Sequence, residues 1–104
     1  MSVMPLTMTT GREVLTHEEE GWTLHEPSGD EVRKVLHTVK FERPFAEPPM
    51  VHVGLSGLDV DGRAATRVRV FATTVSATGF EVAIETWSDS RLWSVGFSWL
   101  AIGN

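Results

Sequence analysis

A chain of 104 residues fits one small domain, and its 41% hydrophobic content is that of a packed protein, not a disordered one. The net charge of −5 argues against nucleic acid or an anionic membrane as partner, since both need a basic patch, and no apolar run approaches membrane-spanning length. The absence of cysteine excludes disulfides, thiolate catalysis and cysteine-ligated zinc, and leaves the compartment open.

Residues 1–11 mix Met, Thr, Ser and Pro, end at Gly11, and read as a weakly ordered arm. Met1–Thr10 has neither a basic start nor a long apolar segment. No secretory signal peptide is expected there, which leaves the cytoplasm or another export route. Arg12–Thr16 reads as a short strand and Glu18-Glu19-Glu20 as a solvated turn. Trp22–His25 reads as a second short strand or part of the same edge. Residues 1–25 are thus an arm and edge segment, and residues 26–104 the domain proper.

Pro27-Ser28-Gly29-Asp30 is a turn. Val35, His37, Val39 and Phe41 then alternate with Lys34, Leu36, Thr38 and Lys40, a strand with one wetter face. Prolines 44, 48 and 49 break it. Val51, Val53 and Leu55 begin the next strand, expected to stop near Ser56-Gly57, with a turn at Asp59–Gly62. Val68, Val70 and Ala72 then oppose Arg67, Arg69 and Phe71. Phe71 makes that outer face too apolar for plain solvent surface, and a subunit contact is one reading of it. After a turn at Ala77–Gly79, Phe80, Val82, Ile84 and Thr86 face one way, and Glu81, Ala83, Glu85 and Trp87 the other. The last strand, Leu92–Ile102, is apolar almost throughout, as befits a central strand covered on both sides. Short strands, regular turns and no helical periodicity give an all-β sandwich. A core of this size is modest, so oligomerisation would help it.

Few chemical motifs survive inspection. Asp59-Val60-Asp61-Gly62-Arg63 begins like a calcium loop, but Ala64–Val70 holds no acid to complete one, so it reads as a turn. His17, His25, His37 and His52 have no metal-site spacing; His37 and His52 read as partly buried or titratable strand residues. Asp59 and Asp61 follow the period of a turn and cannot be placed across a cleft. With no nucleophile triad or phosphate loop, no metal, cofactor or enzyme activity is expected. The hairpin Phe80–Ile102 is different. Its polar turn Ser88-Asp89-Ser90-Arg91 lies between Trp87 and Trp93, while Trp99 reads as core. Flat apolar rings beside hydroxyl, carboxylate and guanidinium groups are what a sugar site requires.

Phe41 through Pro48-Pro49, Val51-His52-Val53-Gly54-Leu55 with Leu58-Asp59, Arg67, Val75–Phe80, Thr86-Trp87 and Ser98–Ile102 follow one another in an order that resembles the H-type lectin domain over residues 36–103, with a weaker extension to Pro27–Asp30. The resemblance implies a six-stranded antiparallel β-sandwich that assembles as a homotrimer, with pairing into hexamers left open. It implies binding of terminal galactose or N-acetylgalactosamine where subunits meet; agglutination, defence and cell adhesion are all compatible with that, and the sequence does not choose among them. By the same resemblance, Asp30 accepts bonds from sugar hydroxyls, Gly29 and Ser28 supply backbone groups, Arg67 donates to ring hydroxyls, Trp87 walls the site, and Trp93 packs on the sugar. Ser88 stands where some members carry a histidine that helps to recognise the N-acetyl group, which leaves plain galactosides or another sugar open. Trp93, bulkier than the tyrosine of some relatives, would narrow the cleft. The rival reading is a trimerisation module of a larger assembly that has lost its sugar.

Overall fold

Side chains at every second residue of an extended chain share one face, so apolar alternation specifies which face of each strand is hidden. The computed structural model describes residues 5–26 and 31–104, and among them six strands: β1 (Thr7–Thr16), β2 (Arg33–Lys40), β3 (Met50–Val60), β4 (Arg69–Thr73), β5 (Gly79–Thr86) and β6 (Leu92–Gly103). They form two antiparallel sheets, ordered β1-β6-β3 and β2-β5-β4. The two central strands, β5 and β6, are consecutive in the chain and joined by the tryptophan-flanked turn.

Between the sheets lie Val39, Phe80, Val82 and Ile84 from one side and Leu15, Val53, Val95, Phe97 and Ala101 from the other. Val68, Val70 and Ala72 pack against this core, as their alternation requires. Trp99 is half-buried against Phe41 and Phe80, with ring centroids 5.9 and 5.4 Å away. At the open side of the sandwich His37 of β2 meets Glu13 of β1, Nε2 to Oε1 2.9 Å, so a polar pair ties the two sheets together.

Four expectations need correction. The strand expected from Arg12 begins at Thr7, and its register with β6 runs unbroken from Thr7↔Gly103 to Thr16↔Ser94. Residues 7–11 are therefore sheet, held by a partner some ninety positions away that no local pattern announces. Trp22–His25 forms no strand. It docks through single bonds, Leu92 N–H to Leu24 O at 2.8 Å and Trp22 Nε1 to Leu92 O at 3.0 Å, and it buries Trp22 and Leu24. β3 does not stop at Ser56-Gly57; it passes through a bulge between Leu55 and Gly57 and continues to Val60. β6 is central, but only its inner face is covered within the chain: Ser98 is exposed and Leu100 and Ile102 half-exposed on the other.

Candidate functional site

The site is built where β5 hands the chain to β6, at the end of the sandwich where the 61–68 connection and the 17–26 segment also lie. Thr86 occupies the last inward position of β5 and is fully buried. A buried hydroxyl must find a partner, and its Oγ1 donates to the Arg67 carbonyl at 2.5 Å. Ser90, only 2% exposed, donates to the Ala65 carbonyl at 2.5 Å and accepts the Arg67 N–H at 2.8 Å. Two buried hydroxyls thus fix Arg67 by both of its backbone groups. Its guanidinium runs out along the turn, where Nη1 donates to Asp89 Oδ1 at 2.7 Å. That ion pair is solvent-facing, with Asp89 67% exposed, so it contributes little stability and chiefly orients the arginine. The result is a charged donor oriented beside a charged acceptor on a solvent-facing turn.

The surrounding aromatics have different partners. Trp87 is half-buried and carries the Arg69 guanidinium 5.2 Å from its ring centroid, while Arg69 also bonds Glu85. Trp93 is packed among His17 at 5.2 Å, His25 at 5.1 Å and the Arg91 guanidinium at 5.5 Å. Within one chain, then, each tryptophan ring has its own set of partners. Ser88 sits in the turn with φ of 59°, a left-handed backbone uncommon for a residue with a side chain. Ser28, Gly29 and Asp30 lie outside the described residues. Asp61 closes the neighbouring turn, accepting the Arg63 backbone N–H and guanidinium; these bonds hold its carboxyl well below the usual carboxylate range. The would-be calcium loop is therefore a charge-paired turn.

The sequence singled out Arg67 and the two tryptophans; the structure adds Thr86, Ser90 and Asp89 as the residues that bond Arg67. For Thr86 a signal existed: it continues the inward series Phe80, Val82, Ile84, and a hydroxyl at an inward position must be bonded to something. Ser90 gave none, because a serine in a polar turn looks like any solvated turn residue.

The H-type lectin domain matches residues 36–102. A Fuscovulum blasticum protein named ATP synthase subunits region ORF 7 is 36% identical over 77 residues, which cover 74% of this chain and 67% of that one. Two structures of discoidin II from Dictyostelium discoideum, the wild-type and the recombinant protein, superpose with TM-scores of 0.79 and 0.78 at 18% and 19% identity. Each comparison covers 95% of this chain, which spans only 37% and 38% of those. The tailspike gp61 of Pseudomonas phage phi297 superposes with a TM-score of 0.59 at 15% identity, over 95% of this chain and 16% of that one.

Proposed function

The chain belongs to the H-type lectin domain family, and from that premise we propose that it is a non-enzymatic lectin that takes terminal galactose or N-acetylgalactosamine in clefts between the subunits of a homotrimer. The observation that carries the reading is the anchoring of Arg67: two buried hydroxyls spent on the backbone of a surface arginine make sense if its guanidinium must be held in place for a ligand. Galactose-type sugars have a polar edge with an axial hydroxyl and a face of C–H bonds. Arg67 and an acid, Asp30 with Gly29 and Ser28 beside it, read the edge through charge-assisted hydrogen bonds. Trp87 walls the cleft and Trp93 covers the apolar face. Ser88 supplies a short hydroxyl, which favours plain galactosides over a strict need for the N-acetyl group. Three sites on one rigid trimer raise avidity through effective concentration alone.

Arg67→Ala is expected to abolish galactoside binding in titration calorimetry, a loss of at least about 2 kcal/mol as for charge-assisted bonds in a recognition site, while light scattering still reports the assembled protein. Normal binding by that variant would remove Arg67 from the site, and silence of the unmodified protein on a glycan array of galactosides would remove the reading itself. A second reading is a trimerisation module that has lost its sugar. Serine at position 88 favours it, as does the occurrence of a similar fold in a phage tailspike. It predicts the same assembly with no saturable sugar.

A further inference from the structure

Arg33 opens β2 on the inward side, in series with Val35, His37 and Val39, where an apolar residue would be expected. Its guanidinium reaches four backbone carbonyls. Nη1 donates to Leu24 O at 3.2 Å and Glu26 O at 2.6 Å; Nη2 donates to Ser88 O at 3.2 Å and Ser90 O at 2.7 Å. One planar fork therefore joins the 24–26 segment to the turn after β5. Two details make this more than a surface contact. Ser88, whose carbonyl it holds, is the left-handed residue of the turn, and strained backbone persists only where its surroundings determine it. Ser90, whose carbonyl it also holds, is the residue whose hydroxyl accepts the Arg67 N–H. An unbroken chain of bonds runs from Arg33 through Ser90 to Arg67. Arg91 repeats the tie from the other side: its Nε donates to His25 O at 2.7 Å, and the His25 ring packs on Trp93.

From this geometry we infer that Arg33 is a positioning residue of the carbohydrate site: it touches no sugar, but locks the turn at residues 88–90 onto the 24–26 segment and so sets where Arg67 and Trp93 stand. The inference rests on the lectin reading for its consequence, though not for the lock itself. Burial lowers the guanidinium's pKa from its ordinary value, Glu26 opposing and Arg91 adding to the effect. An arginine still keeps its proton at every physiological pH, so the lock does not open by titration. Lysine cannot replace it, because a point charge with three donors on a flexible stem does not match four carbonyls in a fork's plane.

The test is Arg33→Lys, which keeps the charge and the aliphatic stem. Leu92 N–H bonds to Leu24 O and so reports on the joint between segment and hairpin. Amides in the middle of β6 report on the sandwich as a whole. In hydrogen exchange of the full chain, Leu92 is expected to exchange at least about tenfold faster in the variant while mid-β6 amides stay as protected as before, the pattern of local rather than global opening. Galactose affinity is expected to fall at least about tenfold with assembly unchanged, as when a bidentate contact is loosened. Unaltered Leu92 protection would overturn the lock; equal acceleration of Leu92 and mid-β6 amides would reduce Arg33 to a general stabiliser. Local loosening with full sugar affinity would overturn its positioning role. If the unmodified protein binds no galactoside, the lectin reading and the positioning role fail together, and the exchange result still decides whether the lock exists.

Discussion

The arrangement of Ser90 shows how much of a local structure can rest on one small side chain. Its hydroxyl is both donor and acceptor, at 2.5 and 2.8 Å, and both partners belong to the 65–67 segment. Removing one partner of a buried hydrogen bond leaves the other desolvated and unpaired, which costs more than the bond's mean worth. Ser90→Ala leaves the Arg67 N–H without its partner and the Ala65 carbonyl with only a long 3.4 Å bond from Arg67 Nη1. We expect it to lower unfolding stability by about 1–3 kcal/mol, read from urea melts at fixed protein concentration, and to weaken sugar binding as Arg67 drifts. A variant equal to the parent on both counts would show that the two bonds hold nothing. At this scale the candidate site offered the sequence only its large residues. Arg67 and Trp87 stand out by type and position, whereas Ser90 and Arg33 acquire meaning only once the partners they bond are known. Arg33 did leave a trace, a charge at an inward position of an alternating strand, and such a charge must be paired or bonded.

At the scale of the element, inner faces were legible and strand ends were not. Phe80, Val82 and Ile84, or Val95, Phe97 and Ala101, announce their face because burial selects for apolar side chains at period two. Strand length obeys a different rule, since pairing continues as long as a partner offers its backbone. β1 shows this best. Gly11 looks like a terminator, yet it lies mid-strand opposite Trp99, and a Cβ built there would meet the indole at 2.5 Å. A glycine within a strand often marks such a close approach. The ring cannot easily give way, being packed against Phe41 and Phe80. Gly11→Ala is therefore expected to destabilise by about 1–3 kcal/mol, as overpacking of a filled site does. In a Trp99→Leu background the same change should cost almost nothing, because the obstacle is gone. A double-mutant cycle in denaturant measures the coupling; independent, additive effects would mean the glycine is not there for the ring.

At the scale of the molecule, the two sheets differ in what they offer outside. The outer face of β2-β5-β4 reads across the strands as Lys34–Glu85–Arg69, Leu36–Ala83–Phe71 and Thr38–Glu81–Thr73. Its middle row is apolar; Ala83 is already buried at 1% exposure, while Leu36 and Phe71 remain open at 52% and 38%. Charged and hydroxyl rows border it on both sides. An apolar centre with a polar rim is the anatomy of a protein–protein contact, and Trp87 stands at the end of this face with Arg69 over its ring. If the chain assembles as the proposed homotrimer, this is the surface we assign to the contact, and it would bring a neighbour's side chains towards Arg67. Phe71→Asp tests the assignment without touching the core, since Phe71 points outward from β4. It puts a carboxylate at the centre of the row, flanked across β5 by Glu81 and Glu85, and burying it in an interface would leave a desolvated, unpaired charge. On the proposed trimeric lectin, sedimentation analysis should find the variant monomeric with its β-sheet circular dichroism intact, and any gain in avidity from multivalency should be lost. A variant that still sediments as a trimer would move the interface elsewhere, and with it the claim that the cleft is shared between subunits.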